Sequence, residues 1–365
     1  MIPSLQSIDW HLFLARTPLP SSANLAALRG KSILITGAGG SIGSALALRL
    51  AQLAPAELVL LESSESHLFA LRSEFTKINP GSNTTFILGS VDHSALLDEI
   101  FSIHAPRIAF HTAAFKQVPL LQSQPLAAID NNVFGTQSLV GASKRNQARV
   151  VLLSTDKAVQ PASIMGATKR IGEHIALAAS GTAVRLGNVL ASRDSVAEVF
   201  AANIANREPI VVTDPAARRY FLTLNEAVDL LLAAASDSNS PALLAPDLPA
   251  PHFVADLARF MARTLAPDCE TRIDFASLRP GDKESELLYS STEEASPSTI
   301  DGLLSIHSPR LSDAELHNAL RSLRAAVDAR DLAAAVECVR ALVPDYTPGS
   351  TLVSLATQSA ARVSL

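Results

Sequence analysis

Ser32-Ile33-Leu34-Ile35-Thr36-Gly37-Ala38-Gly39-Gly40-Ser41-Ile42-Gly43 is the stretch that decides the fold of this 365-residue chain. A short apolar run ends in a glycine cluster, and Ala and Leu then recur at helical spacing from Ser41 onward. A turn of this kind is a cradle for a dinucleotide phosphate. Missing side chains at Gly37, Gly40 and Gly43 permit the tight turn, the approach of a pyrophosphate to backbone N–H groups, and close packing of helix on strand. Ser41 and Ile42 open the helix, whose positive end faces the anion. Glu62 closes the next apolar run about twenty residues later, where a carboxylate accepts hydrogen bonds from the adenosine ribose hydroxyls. Its charge repels a 2′-phosphate, so NAD is favoured over NADP, while Ser63 and Ser64 leave room for the phosphorylated form.

Working outward, short apolar runs alternate with helical segments from Lys31 to about Asn188, the pattern of a doubly wound α/β fold with a parallel sheet covered on both faces. The candidate strands are 32–36, 57–62, 84–88, 107–111, 149–154 and 182–186, and helices begin near Ser41, Ser64, Ser94, Ser123 and Pro161. After Asn188 the rhythm changes to a helix over 195–206, a strand over 209–212, the cluster Arg218-Arg219 and a helix from Asn225. The stretches 236–251 and 290–298 read as connections, and 312–343 as a helical tail stopped by Pro344 and Pro348. The organisation expected is an N-terminal extension (1–29), a Rossmann domain (30–188), a smaller substrate-binding domain (189–310, with 214–236 returning to the first) and the tail (311–365).

Composition removes several classes of function. The chain is 48% hydrophobic and 18% charged, with mean hydropathy +0.23, so it can bury a large core. No apolar run is long enough to span a bilayer. A net charge of −5 with no basic tract argues against a nucleic-acid partner. Cys269 and Cys338 lie far apart, without metal or disulfide spacing, and the nine histidines form no ligand-spaced cluster, so no metal is assigned. The first 28 residues lack a basic start and an apolar core, unlike a secretory signal. A cytoplasmic location is expected.

A second motif, Ser154-Thr155-Asp156-Lys157, ends the fifth candidate strand, and Met165 and Lys169 follow on a helix. Ligands in such sheets bind beyond the carboxyl ends of the strands. In short-chain dehydrogenases and sugar epimerases this helix reads Tyr-x-x-x-Lys, with the tyrosine as acid/base. A thioether at Met165 exchanges no proton, so Asp156 and Lys157 are the candidates to move protons instead. The bland alternatives are an Asx-turn aspartate, a surface lysine and a core methionine.

With His111 to Pro119, Asn131 to Thr136, Met165 to Arg170, Arg185 to Leu190, Arg218 to Thr223 and Arg279 to Lys283, the chain from about Arg29 to Pro348 resembles the UDP-N-acetylglucosamine 4,6-dehydratases of bacterial polysaccharide synthesis. The resemblance implies a soluble form of the methionine-containing subgroup, which generally retains configuration at sugar carbon 5. It departs at Ala191 and Asp194, where glycine is usual, and at 245–248. The implied reaction passes hydride from sugar carbon 4 to NAD, eliminates water across carbons 5 and 6, and returns the hydride to carbon 6. Lys157 is then the base at carbon 5 and Asp156 the acid at the departing hydroxyl. Thr155 holds the oxidised hydroxyl, Lys169 the nicotinamide ribose, and Met165 occupies the tyrosine position. A lysine base shielded from water is expected to have a lowered pKa and the acid a raised one.

Beyond the glycine cradle, Glu62 and Lys169, the implied cofactor contacts are Asp92, Ala113, Ala114, Lys116 and Asn131. Implied contacts to UDP-N-acetylglucosamine or a related nucleotide sugar are Lys116, Asn188, Val189, Ser195, Arg219, Arg279 and Glu286. Lys116 also reads as a solvated lysine, Asp92 as an ordinary loop residue, and His111 as a packing or supporting group. A 4-epimerase or 5-inverting dehydratase on the same scaffold, and a non-catalytic NAD-binding sensor, are the competing readings. Related folds pair through helices flanking the sheet, which implies a homo-oligomer.

Overall fold

Nine strands form one sheet, in a computed structural model that describes residues 5–20, 24–78, 81, 83–237 and 241–363. They are β1 (Ser32–Thr36), β2 (Glu57–Glu62), β3 (Thr84–Leu88), β4 (Ile108–His111), β5 (Arg149–Thr155), β6 (Thr182–Leu186), β7 (Ala242–Pro246), β8 (Glu294–Pro297) and β9 (Leu303–His307). The spatial order is β8-β9-β7-β6-β5-β4-β1-β2-β3. Strands β3 through β7 in that row are parallel, whereas β9 runs antiparallel to both β7 and β8. The chain winds outward from β1 in both directions, so a crevice opens beyond the carboxyl ends of β1 and β4, the ligand position of doubly wound sheets.

Burial on both faces explains the continuous apolar strands. Ile33, Leu34 and Ile35 are all fully buried, with Leu34 in the core on one face of the sheet and Ile33 and Ile35 in the core on the other. Each such side chain contributes roughly 1.5–3 kcal/mol on burial. The six strands read from the sequence are present with ends shifted by at most one residue. Pro161 does not open a helix: Ser163 caps Ile164–Ala178, accepting a hydrogen bond from Gly166 N–H. Ser123 likewise ends the helix Val118–Ser123 rather than starting one.

Two connections read from composition prove to contain strands. β7 lies within 236–251 and pairs with β6, and β8 lies within 290–298. Ser, Pro and Asp flank β7 and masked an apolar run only a few residues long; the neighbouring strands, not local propensity, fix it. The tail forms helices Asp313–Asp328 and Leu332–Leu342, and a third, Ser350–Val363, follows the two prolines. Leu316, Leu320, Leu323, Val336 and Val339 pack into the same core as Ile164, Met165, Ala167 and Ile171. The tail therefore covers the outer face of the Ile164 helix.

A smaller lobe is built from the helices Val196–Asn206 and Val254–Leu265 and the parallel pair Ile210–Val212 with Ile273–Phe275. Trp10, Phe13 and Leu14 join its core. Arg16 anchors that N-terminal segment through a bidentate pair with Glu226, at 2.5 and 3.0 Å. No described helix is long and apolar enough to cross a membrane.

Candidate active site

The glycine cluster forms the turn between β1 and the helix Ser41–Ala51. Gly37 has φ +69°, and a Cβ there would lie 2.6 Å from the backbone of Ala113, in the loop after β4. A Cβ on Gly43 would lie 2.2 Å from the Gly37 carbonyl oxygen, so the turn closes only on glycine. At Gly40 the nearest atom would be Gly37 O at 3.3 Å, and the helix that Gly40 precedes carries no side-chain cap. A helix start with no side-chain cap behind a glycine turn leaves backbone N–H groups that fit a pyrophosphate. Glu62 stands beside this cradle and accepts hydrogen bonds from Gly39 N–H at 2.8 Å and Ser64 N–H at 2.9 Å.

Of the remaining expected cofactor residues, Asp92, Ala113, Ala114 and Lys116 follow strands, whereas Asn131 lies in the helical segment Asp130–Phe134. Asn132 fixes the loop that carries Ala113 and Ala114, accepting from Phe115 N–H at 2.8 Å and donating to Phe115 O at 3.0 Å and to Thr168 Oγ1 at 3.1 Å. Its neighbour Asn131 donates to Asn132 Oδ1. Asp92 is exposed in the turn after β3. His111 is fully buried between Thr36 Oγ1 and Thr136 Oγ1, at 2.8 and 2.9 Å. Burial, aided by the Lys169 charge, depresses its pKa to about 3, which keeps it a neutral supporting group.

Beyond the end of β5, Asp156 and Lys157 sit in a short turn capped by Thr155, whose hydroxyl accepts from Lys157 N–H and donates to Asp156 Oδ1. Lys157 Nζ donates to Asp156 Oδ1 at 3.0 Å and to Asn188 Oδ1 at 2.9 Å, and lies 4.0 Å from Glu286 Oε1. Lys283 Nζ is 2.7 Å from Glu286 Oε2. Negative and positive groups thus alternate in a row from Asp156 to Lys283. Asp156 has no exposed surface, and its Oδ2 has no hydrogen-bond partner among the described residues. A buried carboxyl with one oxygen unsatisfied is poised to carry a proton.

The protonation preferences follow from this row. Burial raises the Asp156 pKa and Glu286 raises it further, against the opposing pull of Lys157, as an acid requires. For Lys157 the outcome differs from the sequence expectation. Burial pushes the ammonium down, but Asp156 and Glu286 together more than offset that and hold it above the usual lysine range. Two carboxylates bracket the amine, and only one of them was visible as its sequence neighbour. Lys169, by contrast, is pushed down to about 8 by burial, partly opposed by Glu173.

Met165 is buried in the first turn of the Ile164 helix and shares a core with the tail helices. A Cβ on the adjoining Gly166 would lie 2.2 Å from Lys157 O, so this glycine lets the helix press against the turn that carries Asp156 and Lys157. Asn188 and Val189 form a short parallel pair with Phe221 and Leu222. Arg219, largely buried, donates to Arg218 O and Glu284 O. Ser195 has a buried hydroxyl with no hydrogen-bond partner among the described residues. Arg279 is not brought to the cluster: it is exposed and pairs with Asp282 at 2.9 Å. Lys116 reaches the carbonyl of Arg193.

Sequence reasoning missed a buried network behind the turn. Arg185 of β6 donates bidentately to Glu173 and to Glu293, and once to Leu288 O. Glu173 also accepts from Ser154 Oγ at 2.6 Å, and Arg170 pairs with both carboxylates. An arginine inside an otherwise apolar strand was the available signal, because such a charge is buried only with partners.

The model of the polysaccharide biosynthesis protein family matches residues 33–308. The chain belongs to that family. It is 34% identical over 305 residues to the capsular polysaccharide biosynthesis protein CapD of Staphylococcus aureus, covering 80% of this chain and 51% of that one. It thus spans about half the length of this relative. A UDP-glucose 4-epimerase of Rickettsia rickettsii is 31% identical over 283 residues, 73% of this chain and 79% of the epimerase. Among solved structures, Pen from Bacillus thuringiensis superposes with TM-score 0.71 at 26% identity, covering 80% of this chain and 98% of that one. The family resemblance carried by the sequence blocks is thereby borne out.

Proposed function

We propose that this protein is a nucleotide-sugar 4,6-dehydratase that converts UDP-N-acetylglucosamine, or a related nucleotide sugar, to the 4-keto-6-deoxy product. The reading is carried by the Asp156–Lys157 pair, an acid with an unsatisfied buried oxygen 3.0 Å from an amine, beyond the carboxyl ends of the strands. The cradle formed by Gly37, Gly40, Ser41, Ile42 and Gly43 would hold the dinucleotide pyrophosphate, with Glu62 and Lys169 at its riboses. Bound NAD supplies the hydride acceptor for carbon 4 and the donor for carbon 6.

This chain's residues handle the protons and the positioning. Thr155 orients the hydroxyl on carbon 4. Lys157, once neutral, takes the proton from carbon 5, and Asp156 delivers its proton to the hydroxyl leaving carbon 6. The proton set free as carbon 4 is oxidised loads Asp156 through the Thr155 hydroxyl, and the Lys157 ammonium returns its proton to carbon 5 as the hydride reaches carbon 6, which resets the pair with water as the only product lost. Asn188 orients the amine, and Arg219 faces the UDP portion with fixed guanidinium donors. A homo-oligomer pairs through surfaces other than the outer face of the Ile164 helix, because the tail covers it.

A 4-epimerase is the second reading, favoured by the similarity to the Rickettsia enzyme. Met165 opposes it, since proton exchange at the carbon 4 hydroxyl there lacks a phenol. Incubation with UDP-N-acetylglucosamine followed by NMR separates the readings: a 4-keto-6-deoxy sugar supports dehydration, UDP-N-acetylgalactosamine supports epimerisation, and unchanged substrate refutes both for this sugar.

A further inference from the structure

Residues 191–195 cross the mouth of the glycine cradle as a strap. Arg193 N–H donates to Ser41 Oγ at 2.8 Å, Arg193 Nη1 donates to Gly39 O at 2.5 Å, and Lys116 Nζ donates to Arg193 O at 2.5 Å. The strap joins the smaller lobe to both the cradle and the loop after β4. Its backbone is strained: Ala191 and Asp194 hold φ +57° and +53°, a left-handed conformation that favours glycine. Asp194 N–H is held by Glu198 Oε2 at 2.7 Å, in the first turn of the next helix. Non-glycine residues locked in this conformation by surrounding bonds mark a segment with a fixed position to keep.

Arg193 has five guanidinium donors, and among the described residues only Gly39 O and no other acceptor receives one. The rest are available beside Gly40 and the uncapped start of the helix Ser41–Ala51. We propose that Arg193, anchored by Ser41 and Lys116, binds the dinucleotide pyrophosphate and clamps the cofactor against release. A guanidinium offers a planar fork matched to phosphate oxygens. A clamp suits a reaction in which the reduced cofactor must stay bound until it returns its hydride, so the proposal deepens the dehydratase reading.

NADH release measured by stopped-flow fluorescence tests this without turnover. Arg193→Ala should release NADH at least ten times faster than wild type, with Arg193→Lys in between. Affinities for NAD and ADP-ribose should fall together in Arg193→Ala, while that for adenosine is unchanged. Release that is unaltered or slower overturns the clamp, the latter identifying the strap as an obstruction. Equal weakening of adenosine binding also overturns it, because the whole cradle has then collapsed. Wild-type protein that binds no NAD or NADH refutes the cofactor reading itself, whereas tight NADH binding insensitive to residue 193 refutes the clamp alone.

Discussion

Replacing Arg185 by Met removes the centre of the buried charge network. The guanidinium makes five hydrogen bonds, four of them to Glu173 and Glu293 at 2.8–2.9 Å. Arg170 Nη1 alone would then neutralise both carboxylates, at 2.8 and 2.9 Å. Removing one partner of a buried pair costs about 3–5 kcal/mol, because the remaining charge stays desolvated. Urea unfolding at pH 7 should show a loss of that size. The variant Arg185→Met/Glu173→Gln should be less destabilised than Arg185→Met, since one orphaned charge is gone. Wild-type Glu173 and Glu293 are held down near pKa 2, burial opposed and outweighed by the two arginines. Their contribution is present above the ordinary carboxyl pKa of about 4.5 and is lost as pH falls towards 2, so the gap between wild type and variant should narrow over that window. A loss below about 1 kcal/mol, or a double variant less stable than the single, would refute the network's role.

Three other outcomes follow from the site. Glu286→Gln removes one of the two carboxylates that hold Lys157 charged, so the rising limb of the pH–rate profile should move to lower pH; an unmoved limb separates Glu286 from the base. Gly43→Ala forces a Cβ to 2.2 Å from Gly37 O and should weaken NAD binding about ten-fold or more by titration calorimetry, whereas wild-type affinity would show that the turn yields. Buried His111 titrates near 3 in the folded chain and near 6.5 unfolded, so its contribution is intact above pH 6.5 and is lost as pH falls. Between pH 7.5 and 5 it should remove of order 2 kcal/mol of unfolding free energy, and His111→Asn should flatten that slope.

How much of this was legible in the sequence depended on whether the signal was local. The strand and turn from Ser32 to Gly43 announce themselves, because apolar run, glycine spacing and helix onset are contiguous. The Thr155-Asp156-Lys157 turn was equally plain. β7 was not, because a short strand between Ser-rich and Pro-rich flanks owes its existence to pairing with β6. Glu286 and Lys283 belong to the site through a fold-back of more than a hundred residues, so the raised pKa of Lys157 had no local sign. Arg279 lies just before Lys283 in the chain, yet it stays at the surface, paired with Asp282. The tail's packing behind Met165 explains why a methionine suits that position: it fills a core built partly from helices far along the chain.

The most direct test of the proton-transfer pair is turnover of UDP-N-acetylglucosamine by Lys157→Ala in the presence of NAD, read by NMR beside NAD affinity. The account predicts no 4-keto-6-deoxy product with cofactor binding intact. Product formed at the wild-type rate would contradict it.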